Sequence, residues 1–157
     1  MLFIGKLVNT HGIKGEVRII SDFKYKECVF KKNSKLYIKG EKYVINSYRK
    51  HKNYDMVTFK GIENINDVIH LKGSSVFIDR KEFMFDGPLN EDLYGKKVYD
   101  RGKYIGVLEE IEKVPAGELL IVKNENKKYL IPYAEEFVDK IDESIELKLI
   151  RGFTDEN

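Results

Sequence analysis

The side chains that most often carry catalysis or hold metals are few in this chain and lie far apart. Histidine occurs three times, at His11, His51 and His70, and cysteine once, at Cys28. None of these spacings matches a metal-ligand motif, and Cys28, between Glu27 and Val29, lacks the surroundings of an activated thiol. Glu109, Glu110 and Glu112 are dense but fall in a strand pattern. Neighbours on a strand point to opposite faces, so they read as a solvated acidic face rather than an acid–base pair. No glycine-rich phosphate loop precedes a helical pattern, and no serine or threonine sits in a nucleophile elbow. Gly12-Ile13-Lys14-Gly15 has the Gly-x-x-Gly form of a KH-domain clamp, but that clamp joins two helices and this stretch joins two strand patterns. The sequence therefore predicts no catalytic residue, no metal and no cofactor.

What remains is recognition. Lys24, Lys26, Lys31, Lys32, Lys35, Lys39, Lys42, Arg49, Lys50 and Lys52 are interleaved with Tyr25, Tyr37, Tyr43, Tyr48 and Tyr54, the cations and flat rings that RNA contact uses. The net charge of +2 hides a division. Residues 1–82 hold 17 Lys+Arg against 9 Asp+Glu, or +8, and residues 83–157 hold 11 against 17, or −6. A basic half suits a polyanion and an acidic half suits a basic protein, of which ribosomal proteins are the most abundant in a bacterial cytoplasm. Chance clustering of solvated lysines is the plain alternative.

Short strands must position these groups. Leu2 to Asn9 and Glu16 to Ile20 flank Thr10-His11-Gly12-Ile13-Lys14-Gly15, a hairpin tip whose Gly12 and Gly15 supply turn geometry. Ser21 to Lys35 reads as a loop or irregular crossover. Leu36 to Ile38, Lys42 to Tyr48 and Asp55 to Phe59 read as a meander, with the basic run Arg49 to Asn53 as one of its turns. A short helix is expected over Glu63 to Leu71, capped by Asn64 or Asn66 and stopped at Gly73, before a last strand at Ser75 to Asp79. Gly87-Pro88 breaks any element, and the charge changes sign there. This gives a first domain at residues 1–82, a linker at 83–91 whose Phe83 and Phe85 seal the junction, and a second domain at 92–157. The second half offers strands at Lys97 to Tyr99, Tyr104 to Ile111, Leu119 to Lys123, Lys128 to Pro132 and Ile145 to Ile150. Alternation is clean in the last, with Ile145, Leu147 and Leu149 on one face. The fold class is all-β, two small β-barrels in tandem with one short helix in the first. With no apolar leader and no membrane-length run, a cytoplasmic protein and a monomer are expected.

Phe3-Ile4-Gly5-Lys6-Leu7-Val8-Asn9-Thr10-His11-Gly12-Ile13-Lys14-Gly15-Glu16-Val17-Arg18 resembles the opening signature of the bacterial ribosome maturation factor RimM family. The likeness continues through Tyr48-Arg49-Lys50-His51-Lys52, Gly61-Ile62-Glu63 and Leu71-Lys72-Gly73. Asp92-Leu93-Tyr94-Gly95, Gly102-Lys103-Tyr104-Ile105-Gly106-Val107 and Leu130-Ile131-Pro132-Tyr133 then resemble that family's C-terminal PRC-barrel. The resemblance implies a PRC-barrel as the second domain and a non-enzymatic factor that binds the immature small ribosomal subunit at its head. It implies small-subunit ribosomal protein nineteen and small-subunit rRNA as partners, and efficient rRNA processing as the outcome. On that reading His11, Lys14, Arg18, Arg49, Lys50 and Lys52 meet rRNA, and Asp92, Leu93, Tyr94 and Glu110 meet the ribosomal protein. For Leu93 the plainer expectation is core packing. Many members carry a Tyr-Tyr pair before the Asp-Leu-x-Gly motif, where this chain has Pro88 and Leu89, with Phe83 or Phe85 as the nearest substitutes. Two other functions stay open, an RNA-modifying enzyme and a PRC-barrel adaptor outside the ribosome.

Overall fold

Alternation of apolar and polar residues sets the first strands. Val17 and Ile19 are fully buried while Arg18 between them is only half-buried, and full burial of each aliphatic side chain contributes about 1.5–3 kcal/mol. The computed structural model describes residues 1–149, which divide into two compact units, Met1–Asp86 and a second that begins at Gly87. In the first, β1 (Leu2–His11) and β2 (Glu16–Ile20) form the opening hairpin, and a single helical turn, α1 (Lys26–Val29), follows. Next come β3 (Lys35–Ile38), β4 (Glu41–His51), β5 (Tyr54–Phe59) and β6 (Ser75–Ile78). They close a barrel in the order β1-β2-β5-β4-β3-β6, sealed where Leu2 pairs with Ile78 and Lys6 with Ser75. Leu7, Leu36, Ile38, Ile45 and Phe59 lie in its core.

The helix of this unit is not where the sequence placed it. Glu63 to Leu71 holds two 3-10 turns, Ile65–Asp67 and Ile69–Leu71, with the Asn64 side chain accepting the Asn66 N–H at 2.8 Å. The buried residues, Val68 and Leu71, are three apart, which is the 3-10 period, and Ile69 is exposed. Backbone bonds from Ile65 N–H to Ile13 O and from Gly73 N–H to Leu7 O tie both ends of the segment to the β1 region. The α-turn lies instead inside the stretch expected to be a loop, where Val29 and Phe30 enter the core. The basic run also differs: Arg49, Lys50 and His51 continue β4, paired with Met56, Asp55 and Tyr54. Only Lys52-Asn53 turns, with Lys52 in the left-handed region at φ +56°.

The second unit contains α2 (Asn90–Leu93), β7 (Lys97–Asp100), β8 (Lys103–Val114), β9 (Gly117–Asn124), β10 (Lys127–Pro132), β11 (Val138–Ile141) and β12 (Ile145–Leu147). Its six strands run in the order β10-β9-β8-β7-β12-β11, and β12 lies parallel to β7. Ile145, Leu147 and Leu149 are all buried, as their spacing requires, and Phe137, Val138 and Ile141 pack on the same core. Ile150, expected to end that strand, and the rest of the 92–157 domain beyond Leu149 lie outside the described residues.

Candidate functional site

The outer wall of the barrel formed by β1, β2, β5 and β4 gathers part of the expected RNA-binding set. Strict alternation from buried Leu7 would aim His11 inward, and from buried Ile45 it would aim Arg49 inward. Register shifts between Leu7 and Asn9 and between Ile45 and Ser47 reverse both. Each bulge adds one residue and so moves every later side chain to the opposite face. His11 then lies opposite Glu16, while Arg18 and Arg49 flank Met56 from the two neighbouring strands.

The groups on this face touch. Arg18 Nη2 donates to His11 Nδ1 at 2.7 Å, which requires a lone pair on that nitrogen and places the neutral ring's hydrogen on Nε2. The Arg18 guanidinium lies 5.5 Å from the centre of the Tyr54 ring, and its Nε is buried with no hydrogen-bond partner. The rings of His11 and His51 are 6.3 Å apart. Arg49 grips Glu16 with two bonds, Nε to Oε2 at 2.9 Å and Nη2 to Oε1 at 2.7 Å. The Arg49 hydrogen bond holds the Glu16 carboxyl below its usual range against partial burial, and Glu16 in return raises the Arg49 guanidinium. One face thus offers a stacked guanidinium, two imidazoles and a partly neutralised arginine, which can stack on bases and bond phosphates.

The remaining expected residues are dispersed. Lys14 sits exposed in the hairpin tip between Gly12 and Gly15, both in the left-handed region at φ +75° and +91°. A Cβ on Gly15 would press on the Asn64 carbonyl oxygen at 3.3 Å, whereas Gly12 faces open space. Lys52 lies in the β4–β5 turn. Lys50 pairs with Asp55 and points to the side opposite Arg49. Tyr54 was among the rings that the sequence interleaves with cations, whereas Glu16 and His51 were not singled out. A His51–Tyr54 pair flanking a two-residue turn was the signal available for His51.

On the other face of β5, Asp55 is fully buried and fastens α1. Tyr48 Oη donates to Asp55 Oδ1 at 2.7 Å, and Lys26 Nζ reaches Oδ2 at 3.0 Å and Ser21 O at 3.2 Å. Burial first, and then the Asp55 carboxylate, push the Tyr48 hydroxyl up to about 12.

In the second unit, a third register shift, between Leu108 and Glu110, turns Glu110 outward opposite Ile121, which in turn pairs with Leu130. The next row is Glu112, Leu119 and Pro132. Leu130 is 55% exposed, so this face is apolar with an acidic border. Tyr94 lies beside it: its hydroxyl oxygen accepts the Ile111 N–H at 3.3 Å and its ring is exposed. Asp92 is exposed at the end of α2, and its carboxylate accepts the Leu89 N–H at 3.3 Å. Leu93 is a core residue, 1% exposed, and presents nothing to a partner. The structure therefore brings Tyr94 and Glu110 together and adds Leu130 and Glu112, which sequence reasoning passed over.

Phe83 and Phe85 pack on the first barrel's core, stacked on each other at 6.0 Å, with Phe85 stacked on Tyr25 at 5.0 Å. Leu89 is buried and Pro88 is half-buried. Among the described residues, no group of three or more His, Cys, Asp or Glu side chains is placed to hold a metal ion, and no helix is long and apolar enough to cross a membrane.

Two family models match the chain, the RimM N-terminal domain over residues 2–83 and the RimM PRC barrel domain over residues 90–153. The chain is 40% identical over 148 residues to the ribosome maturation factor RimM of Ligilactobacillus salivarius, an alignment covering 88% of each chain. It is 40% identical over 157 residues to that of Staphylococcus epidermidis, covering 94% of this chain and 92% of the relative. A solved structure from Pseudomonas aeruginosa, described as a 16S ribosomal RNA processing protein RimM, aligns over 95% of this chain and 97% of its own, at 23% identity and a TM-score of 0.46. Two successive domain models and relatives aligned over most of their length identify the chain as a member of the RimM family of ribosome maturation factors.

Proposed function

We propose that this chain is a non-enzymatic ribosome maturation factor that binds the immature small ribosomal subunit at its head. The first unit meets rRNA through the Arg18, His11, Tyr54 and Arg49 face, with Lys14 and Lys52 reaching phosphates from the two turns. The second unit meets small-subunit ribosomal protein nineteen through Tyr94, Glu110, Glu112 and Leu130, with Asp92 at the border. The observation that carries this reading is the pairing of opposite charge with different surfaces: a basic barrel with a guanidinium stacked on a ring, and an acidic sheet with an exposed leucine. Relatives named as ribosome maturation factors support it. Assembly is promoted by differential binding. The factor binds the incompletely folded head more tightly than the mature one, and so shifts the population toward an assembly-competent form before it leaves. It acts as a monomer in the cytoplasm and needs no nucleotide.

The test is a calorimetric titration of the full chain against purified protein nineteen at two salt concentrations, repeated with Glu110→Lys/Glu112→Lys. Binding that weakens with salt, and by at least tenfold in the double variant, supports the assignment. A wild-type chain that gives no heat with the ribosomal protein overturns it.

A further inference from the structure

We propose that the first unit carries a second RNA subsite, a groove that takes one unpaired nucleotide, with the base against Phe83 and its phosphates on Lys31, Lys32 and Lys35. It rests on the reading that this unit meets RNA, but uses none of the residues assigned to the barrel's outer face. The groove lies between the loop after α1 and the segment after β6 and encloses about 400 Å³, within the range of about 300–1,000 Å³ typical of small-molecule sites.

One wall is a held loop. Asn33 N–H bonds Ile45 O at 2.8 Å, Ile45 N–H bonds Ser34 O at 2.9 Å, and Ser34 N–H bonds Lys31 O at 3.1 Å. Asn33 adopts φ +77°, the left-handed conformation this residue tolerates, and its side-chain oxygen accepts from Lys60. Three lysines are therefore presented on fixed backbone. Their ammonium groups make no hydrogen bond or ion pair among the described residues, unlike Lys26 and Arg49 in the same unit. Free cations on a pre-ordered loop suit phosphate, because little order is lost on binding.

The other wall is aromatic. Phe83 is the last ring of the stack Tyr25, Phe85, Phe83, and it lines the groove. A ring backed by two others is a rigid platform for a base, and stacking of this kind tolerates any sequence. Glu82 adds an acceptor. Its Oε1 takes the Tyr37 hydroxyl at 2.7 Å, leaving Oε2 for a ribose hydroxyl or an exocyclic amine, groups that a bare phosphate lacks. In a duplex the bases stay stacked inside, so a groove of this kind selects single strands.

Cys28, the only cysteine of the chain, lines the same groove and reports on it. The experiment combines fluorescence anisotropy of labelled oligoadenylate and oligouridylate hexanucleotides, with a short RNA duplex as comparison, and the rate of Cys28 modification by a disulfide reagent, all on the full chain. The hexanucleotides should bind more tightly than the duplex and slow Cys28 modification. Lys31→Ala/Lys32→Ala/Lys35→Ala, confined to exposed side chains, should abolish that protection and lower the salt slope of binding by about 2. Phe83→Leu should weaken binding about 5- to 100-fold at unchanged slope. Hexanucleotide binding that leaves Cys28 unprotected and survives the triple variant overturns the groove and leaves the rRNA reading standing. Failure of the wild-type chain to bind any RNA overturns both.

Discussion

Each unit buries one aspartate in its strands, and the two carboxylates hold different things. Asp55 collects side chains, the Tyr48 hydroxyl and the Lys26 ammonium, and so ties a helical turn to the barrel wall. Asp100 accepts the Leu149 N–H at 2.9 Å, with Arg101 at 3.3 Å on its other oxygen, and so ties the segment just after β12 to β7. The contrast shows that charge counted from sequence is not charge offered to a partner. Lys26 and Arg49 are engaged within the basic unit, unlike the lysines of the α1–β3 loop, so equal formal charges are not equally available to a polyanion.

The sharpest way to break the comparison is at the close strand crossings. A Cβ at Gly106 would come 2.6 Å from Lys123 O, in a backbone conformation of φ +149°, and one at Gly5 would come 2.5 Å from Ile20 O. Gly106→Ala should cost about 2–5 kcal/mol, from clash and strain together, and Gly5→Ala about 1–3 kcal/mol, from clash alone. Urea unfolding of the full chain separates them.

Next come the carboxylates. Asp55→Ala leaves a part-buried hydroxyl and a partly exposed ammonium without their partner, a loss of about 2–3 kcal/mol. Asp100→Ala should cost about 1–2 kcal/mol, because it removes the acceptor of the Leu149 backbone amide. Thermal unfolding that ranks them the other way would show that the main-chain tie matters more.

A smaller effect sharpens the contrast by pH. Tyr48 keeps its proton up to about 12 in the folded barrel and up to about 10 when unfolded. Its contribution is therefore complete below pH 10 and is lost as pH rises toward 12, because the unfolded state releases the proton first. Solvent screening of this 39% exposed side chain reduces the slope. Tyr48→Phe should flatten the alkaline limb of a stability–pH curve, and an unchanged limb would remove Tyr48 as its cause. Smallest is Glu16→Gln, which frees Arg49 and should tighten RNA binding a few-fold at low salt, measured by anisotropy.

Much of the strand inventory is legible from local pattern. Lys39-Gly40 and Arg101-Gly102 turn with both residues at positive φ, as two-residue hairpin turns demand, and Ile145, Leu147 and Leu149 declare their face by spacing. The end of β4 was not legible, because a ladder projecting with polar side chains gives no hydrophobic signal, and Arg49-Lys50-His51 reads as a loop. Nor was α1, whose anchor is the carboxylate of Asp55, 29 residues away. The candidate faces were half legible. Residue types pointed to His11, Arg18, Arg49 and Glu110, yet three of these face outward only because a bulge inverts the alternation upstream of each. A bulge is set by pairing between strands and leaves little trace in one strand's composition.

The parallel pairing of β12 with β7 fixes an order of events during synthesis. All six strands of the barrel exist once Ile78 has left the ribosome, so it can close while the rest of the chain is still being made. β7 must wait, with one edge unpaired, until Leu147 arrives. For that interval the nascent second unit presents an open strand edge, the feature through which incomplete β-proteins find wrong partners.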